Sequence, residues 1–305
     1  MSNIREKTLH LCKIHGIKPA KSKGQNFLLE EEYYDQIIEA AELTNTDKVL
    51  EVGPGLGFLT RKLAEKAGKV TTVELDDKLA ELLRIELKKE KLSNVQVMNG
   101  NVLDLQVGRE SQVASLKSKV EPQKAHENAE TTRSTLHVPR YKIVANLPYN
   151  ITSAFLRKFL SQARKKPEIM VLLIQREVAE RICANAGQLS VLGISVQLYA
   201  TAEIIGLVPA TAFFPPPKVE SAIIRIRILD QDEKWSKDWE KLFFQLVNIG
   251  FSAKRKKLAN NLAAGYQLPV SECVEWLDRA GFSGIIRAQE LDVADWKRLL
   301  EQKSF

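Results

Sequence analysis

The segment EVGPGLG, Glu51 to Gly57, constrains this chain more than any other stretch. It closes the apolar run that starts at Lys48 and leads directly into a helical pattern from Phe58. A strand, a glycine turn and a helix in that order open a doubly wound α/β sheet, in which ligands bind beyond the carboxyl ends of the strands. Glycines at 53, 55 and 57 let a ligand approach the backbone closely. Their spacing is GxGxG, whereas a dinucleotide site uses GxGxxG to aim a helix N-terminus at a pyrophosphate. A nucleoside cofactor without a pyrophosphate fits better. Glu74 closes the next apolar run, 17 positions past Gly57, and its carboxylate can accept from both hydroxyls of a ribose. The plainer alternative is a tight structural turn beside a solvated acid, and the pairing of loop and acid counts against it.

The rest of the chain keeps that rhythm. Helical spacing from Leu29, helices at 58–67 and 77–91 and strands at 70–74 and 95–98 predict a mostly parallel sheet with helices on both faces. Between Gln106 and Arg140 the sequence turns polar, so this stretch is expected to be a surface insertion, mobile from Glu121 to Val138. The alternation resumes with YKIVAN, a helix from Ile151, the strand EIMVLLI, helical material over 176–199 and strands near 202–207 and 219–228. After Leu229 only helical periodicity remains. The expected organisation is a basic N-terminal arm or short helix over 1–24, an α/β domain over 25–229 and a small all-helical domain over 230–305.

Composition narrows the class. The 305 residues hold 45 Lys plus Arg against 38 Asp plus Glu, a formal charge of +7, which suits a nucleic-acid partner without requiring one. No stretch approaches the roughly 18 apolar residues of a bilayer span. Cysteines at 12, 183 and 273 have no metal spacing, and the first ten residues lack a secretory core. The expectation is a cytoplasmic protein with no membrane segment and no metal.

Three further motifs carry chemistry. In NLPYN, Asn146 to Asn150, Pro148 stiffens the loop, so the Asn146 side chain and the Leu147 carbonyl can present fixed acceptors. Tyr149 offers a face for stacking a purine, a task for which a phenyl ring would serve as well. Two acceptors beside an aromatic face suit an exocyclic amine; the alternative is an ordinary strand-to-helix turn. In AFFPPPKVES, Phe213 and Phe214 are expected to wall a pocket, although the proline run could be a connector. GQNFL, 24–28, is weak alone.

Taken in order, GQNFL, EVGPGLG, the acid after the second strand, NLPYN and FFPPPKVES resemble the ribosomal RNA adenine dimethyltransferases of the kasugamycin-resistance type across almost the whole chain. FSAKRKKLANNL, 251–262, is similar to that branch and unlike the dimethyltransferases that act on large-subunit RNA. The resemblance implies a Rossmann-like class I methyltransferase fold and transfer of methyl groups from S-adenosylmethionine. The acceptors it implies are two adjacent adenines in the 3'-terminal hairpin of small-subunit ribosomal RNA, free or in a precursor particle. By the same likeness Asn26, Leu28, Gly53, Glu74 and Asn146 line the cofactor site, with Gly55 and Gly57 shaping its floor. Where the family has an Asp accepting from the cofactor's adenine amine, this chain has Asn101, whose carbonyl can still accept; Asp104 is the nearby substitute. Lys254, Arg255, Lys256 and Lys257, with the basic arm, are expected to meet RNA phosphates. The rival readings are a large-subunit RNA dimethyltransferase, an RNA-binding assembly factor and, on poor glycine spacing, a dinucleotide oxidoreductase.

Overall fold

The computed structural model describes residues 3–19, 24–108, 135–137, 141–229 and 235–303. The chain opens with α1 (Ile4–Ile14), β1 (Phe27–Leu28), α2 (Glu31–Ala40), β2 (Lys48–Val52) and α3 (Phe58–Lys66). It continues through β3 (Lys69–Glu74), α4 (Asp77–Lys89), β4 (Val95–Asn99), β5 (Gln106–Gly108), β6 (Thr135–His137) and β7 (Lys142–Asn146). Next come α5 (Thr152–Arg157), β8 (Ile169–Gln175), α6 (Arg176–Ile182), α7 (Val191–Gln197), β9 (Ala200–Val208), β10 (Phe213–Phe214) and β11 (Ser221–Ile228). Four helices finish it, α8 (Lys237–Gly250), α9 (Leu258–Tyr266), α10 (Val270–Arg279) and α11 (Val293–Glu301).

Seven strands form one sheet in the order β4-β3-β2-β7-β8-β11-β9. The first five pair in parallel, and β11 runs antiparallel between β8 and β9. Strand periodicity sorts the apolar residues between two cores. Leu50, Val52, Ile143, Ala145, Met170, Leu172 and Ile174 face one side, and Val49, Val144, Val171 and Leu173 face the other. Ile143, Val144 and Ala145 are all fully buried, as expected of a central parallel strand covered on both faces. Each large aliphatic side chain so buried contributes about 1.5 to 3 kcal/mol.

The antiparallel turn of β11 has a consequence for the site. Its first residue, Ser221, pairs with Gln175 at the end of β8 and Val208 at the end of β9. Ser221 therefore lies at the same edge as the carboxyl ends of β2, β3 and β7, where the ligand cleft of such a sheet belongs.

The N-terminal segment is a docked helix. Ile4 of α1 joins the core around Leu28 and Tyr34, and Cys12 packs with Phe27, Leu56, Leu79 and Leu82. The insertion expected over 106–140 begins and ends on a two-stranded parallel ladder, Gln106 opposite Thr135 and Gly108 opposite His137. Residues 109–134 and 138–140, and with them nearly all of Glu121 to Val138, lie outside the described residues.

Among the described residues from 235 onward there is no strand. Ser236 caps α8 by accepting from the Trp239 amide, and Asp292 and Asp295 form a reciprocal capping box on α11. Trp276 and Trp296 are fully buried, and the Trp276 indole donates to the Leu299 carbonyl at 2.9 Å. These helices do not make a separate core: Phe243, Leu246 and Trp276 belong to the same cluster as Leu172 and Ile224 of the sheet. The boundary expected at 229/230 abuts residues 230–234, outside the described residues.

Candidate functional site

A cleft opens at the carboxyl ends of β2, β3 and β7, walled by the glycine loop, the 24–28 segment, residues 100–102 and the NLPYN loop. Gly53 and Gly55 adopt φ of +66° and +55°, conformations that disfavour any side chain. A Cβ on Gly55 would lie 2.9 Å from the Phe27 ring, so the loop can close on the 24–28 segment only as glycine.

Glu74 ends β3 at the cleft floor and is 6% exposed. One carboxylate oxygen accepts from the Gly55 amide at 3.1 Å and the other from the Asp76 amide at 2.9 Å. Burial raises its carboxyl above the ordinary value, and these two backbone amides offset only part of the rise. Each oxygen retains acceptor capacity, which is the geometry a ribose diol needs.

Across the cleft, the Asn146 side-chain amide donates to the Asn26 carbonyl at 3.1 Å. That bond sets the orientation of the amide, leaving its Oδ1 to accept from a ligand. Leu147 is buried and its amide donates to the Leu173 carbonyl at 3.1 Å, which anchors the loop to β8. Tyr149 lines the cleft while its hydroxyl lies 2.6 Å from the Ser221 hydroxyl.

The structure brings Asn26, Leu28, Gly53, Gly55, Glu74, Asn101, Asn146, Leu147, Pro148 and Tyr149 to this one cleft. Gly57 is not part of the lining. It caps α3 at φ +78°, and a Cβ there would lie 2.3 Å from Leu83, so this glycine serves the approach of α4 rather than a ligand. Phe213 and Phe214 are also outside the lining. They pair with Leu28 and Phe27 across a two-residue antiparallel ladder, and strand alternation sends Phe213 into the core, 2% exposed, and Phe214 against the Cys12–Leu82 cluster. Asn101 reaches the cleft and Asp104 does not. The Asn101 Oδ1 accepts from the Leu103 amide at 3.0 Å and keeps a second lone pair.

Several lining residues were not singled out from the sequence, chiefly Phe27, Glu51 and Leu75. Glu51 is an acid inside the apolar run of β2, and that mismatch was the available signal. It is 1% exposed; Oε2 accepts from the Thr60 hydroxyl at 2.7 Å, and Oε1 has no partner among the described residues. Burial raises its carboxyl from the ordinary 4.5 to about 7, with the Glu74 charge adding to the rise. A carboxyl raised on folding contributes its stability below the unfolded value and loses it as pH rises toward the folded value. Replacement by neutral Gln is therefore expected to become progressively more stabilising, relative to wild type, between pH 4.5 and about 7. The gain should reach about 3 kcal/mol. Urea denaturation of both proteins across that range measures it, and a pH-independent difference would contradict a buried titrating Glu51.

Among the described residues the lining contains two acids, Glu51 and Glu74, and no Lys or Arg. An acid at the cleft floor suits a cationic nucleoside. The residues present therefore fit S-adenosylmethionine: a diol acceptor in Glu74, an amine acceptor in Asn101 and a backbone cradle at Gly53 to Gly55.

Lys254 to Lys257 occupy the turn between α8 and α9, all four exposed and none of them part of the cleft lining. Buried Asn261 supports this turn, donating to the Ala253 carbonyl at 3.2 Å and also to that of Gly250.

Comparison with known proteins places the chain in a family. The model for "Ribosomal RNA adenine dimethylase" matches residues 17–302. "Ribosomal RNA small subunit methyltransferase A" of Dehalococcoides mccartyi is 38% identical over 283 residues, 93% of this chain and 88% of that protein. The protein of the same name from Pelotomaculum thermopropionicum is 36% identical, covering 94% and 92%. Among solved structures, a dimethyladenosine transferase from Plasmodium falciparum is similar at TM-score 0.67 and 25% identity, covering 90% of this chain and 95% of that one. The 23S rRNA methyltransferase ErmE is similar at TM-score 0.64 and 29% identity, covering 90% and 98%. With its cleft at the carboxyl edge of a class I methyltransferase sheet and a family match over nearly its full length, the chain belongs to the ribosomal RNA adenine dimethylase family.

Proposed function

We propose that this protein dimethylates the exocyclic amines of two adjacent adenines in the 3'-terminal hairpin of small-subunit ribosomal RNA, acting in the cytoplasm on the RNA or an assembling particle. The family makes it a methyltransferase that draws on S-adenosylmethionine. The observation that carries the finer reading is the NLPYN loop, where an oriented Asn146 and an aromatic ring share the cleft with Glu74. The small-subunit assignment is supported by relatives at 36 to 38% identity that carry that name, against 29% for the large-subunit enzyme.

When bound, S-adenosylmethionine supplies a methyl group activated by its positively charged sulfur. Glu74 and Asn101 would hold its ribose and adenine, and the Gly53–Gly55 backbone would let it lie against the loop. The amine of adenine is a poor nucleophile because its lone pair is delocalised into the ring. Asn146 Oδ1 and the Leu147 carbonyl would accept from its two N–H groups and draw the nitrogen toward tetrahedral geometry, while Tyr149 holds the ring in line. No dedicated base is required, since the methylated ammonium loses its proton readily to water. The base must leave its stack, at a cost of a few kcal/mol that is smallest in a loop. One N–H survives the first transfer, so a second round is chemically open.

RNA engagement is assigned to the exposed Lys254–Lys257 turn and to the cations of α1. Replacing all four of Lys254, Arg255, Lys256 and Lys257 by Gln is expected to weaken RNA binding across sequences. It should also flatten the salt dependence by about 0.7 to 0.9 in log–log slope for each phosphate left without its cation, with cofactor affinity unchanged. An unaltered salt slope would remove the turn from the interface. The function itself is tested by presenting purified protein and labelled cofactor with unmethylated small-subunit particles and with large-subunit RNA. Label is expected as dimethyladenosine on adjacent adenines of the former; label confined to the latter would favour the large-subunit reading.

A further inference from the structure

Tyr149 and Ser221 are 72 residues apart in sequence, yet their hydroxyls lie 2.6 Å apart. Ser221 is fully buried, and it is held at both of its sheet neighbours, Gln175 and Val208. The residue before it is pinned as well. The Arg176 amide donates to the Glu220 carbonyl at 3.0 Å, and the Arg176 guanidinium pairs with the Glu220 carboxylate at 2.7 Å. Tyr149, by contrast, stands in a short turn between β7 and α5, where Pro148 fixes one backbone angle but nothing in the backbone fixes the ring. A tyrosine ring turns about two side-chain bonds; the phenol oxygen lies on the axis of the second, so tethering it to a rigid strand stops the ring from swinging about the first. The antiparallel direction of β11 is what brings the start of that strand to the cleft edge.

We propose that Ser221 is a positioning residue for methyl transfer: through the hydroxyl contact it keeps the Tyr149 ring from swinging away from the place where the target adenine stacks. This rests on the reading of Tyr149 as the stacking face. It also revises the expectation that a phenyl ring would serve as well as the phenol. Without the hydroxyl the ring keeps its face but loses its tether, and the buried Ser221 hydroxyl loses its partner.

The test is a double-mutant cycle on single-turnover methyl transfer to unmethylated small-subunit particles, with rates normalised to the cofactor-binding fraction. Ser221→Ala and Tyr149→Phe are each expected to lower the rate by about 5- to 50-fold, the range for removing one buried hydrogen bond. Particle binding and cofactor affinity should stay at wild-type values, and Ser221→Thr, which keeps the hydroxyl, should recover most of the rate. The double variant should be no slower than either single one, because both changes remove the same hydrogen bond. Losses that multiply in the double variant would overturn the proposal, whether or not Ser221→Thr is accommodated. A wild-type rate in Ser221→Ala beside a slow Tyr149→Ala would overturn it while leaving the stacking role of the ring intact. A wild-type rate in Tyr149→Ala would overturn the stacking role and the proposal with it.

Discussion

Asn146→Ala is expected to collapse methyl transfer while leaving particle binding nearly intact. The two quantities separate because phosphate contacts dominate RNA affinity, whereas Asn146 would act on one amine within the cleft. Its side-chain amide is already committed to the Asn26 carbonyl at 3.1 Å, so the atom that the substrate would miss is a pre-oriented acceptor that needs no reorganisation at the moment of reaction. Loss of one such group in other enzymes costs about 100- to 1,000-fold in turnover, and a loss of that order is the expectation here. Rapid-quench measurement of the single-turnover rate, paired with filter binding of the particle, checks both halves. A wild-type rate would mean that the loop is scaffold.

Glu74→Ala carries the second large effect, on the cofactor. The ribose would lose a charged acceptor, a change worth about 1 to 3 kcal/mol, or roughly five- to 150-fold in affinity. The same substitution strips partners from the Gly55 and Asp76 amides, so the glycine loop itself should loosen. Glu74→Gln separates the two contributions. It keeps an acceptor for one amide and most of the side-chain volume, and it is expected to fall between wild type and Ala. Calorimetric titration with S-adenosylmethionine measures all three, and equal affinity across them would take Glu74 out of the site.

The parts of this molecule that were legible in its sequence are those written in local periodicity and chemistry. KVLEV, YKIVAN and EIMVLLI announce strands because runs of buried apolar residues flanked by glycine, proline and polar turns have few other uses. The cleft residues Glu74 and Asn146 could be singled out because each stands at a strand end, where an open α/β sheet places its ligand, whereas Asn101 is legible only through the family resemblance. What escaped depends on contacts distant in sequence. Nothing in FFPPPK shows that Phe213 and Phe214 pair with residues 27–28, and that pairing alone decides which ring turns inward. The role of Gly57 is fixed by Leu83, on a helix that the glycine motif does not mention. The Tyr149–Ser221 contact likewise exists only because β11 returns antiparallel beside β8.

The separation of Asn101 from Asp104 shows the same limit at short range. Both residues are polar, three positions apart, and either could have met an adenine amine. Asn101 caps a single turn of tight helix over Val102–Asp104, which places Asn101 in the cleft wall and carries Asp104 past it. A one-turn element of this kind leaves almost no periodic trace.

The central claim is the identity of the modified bases. Mass-spectrometric mapping of small-subunit ribosomal RNA from cells lacking this protein tests it most directly, with re-expression of the wild type and of Asn146→Ala as paired controls. Two adjacent adenines near the 3' end should carry dimethyl groups in the parent, be unmodified in the deletion, regain both methyls with the wild-type protein and stay bare with the variant. Dimethylated adenines persisting at that position in the deletion, or a loss confined to large-subunit RNA, would contradict the account.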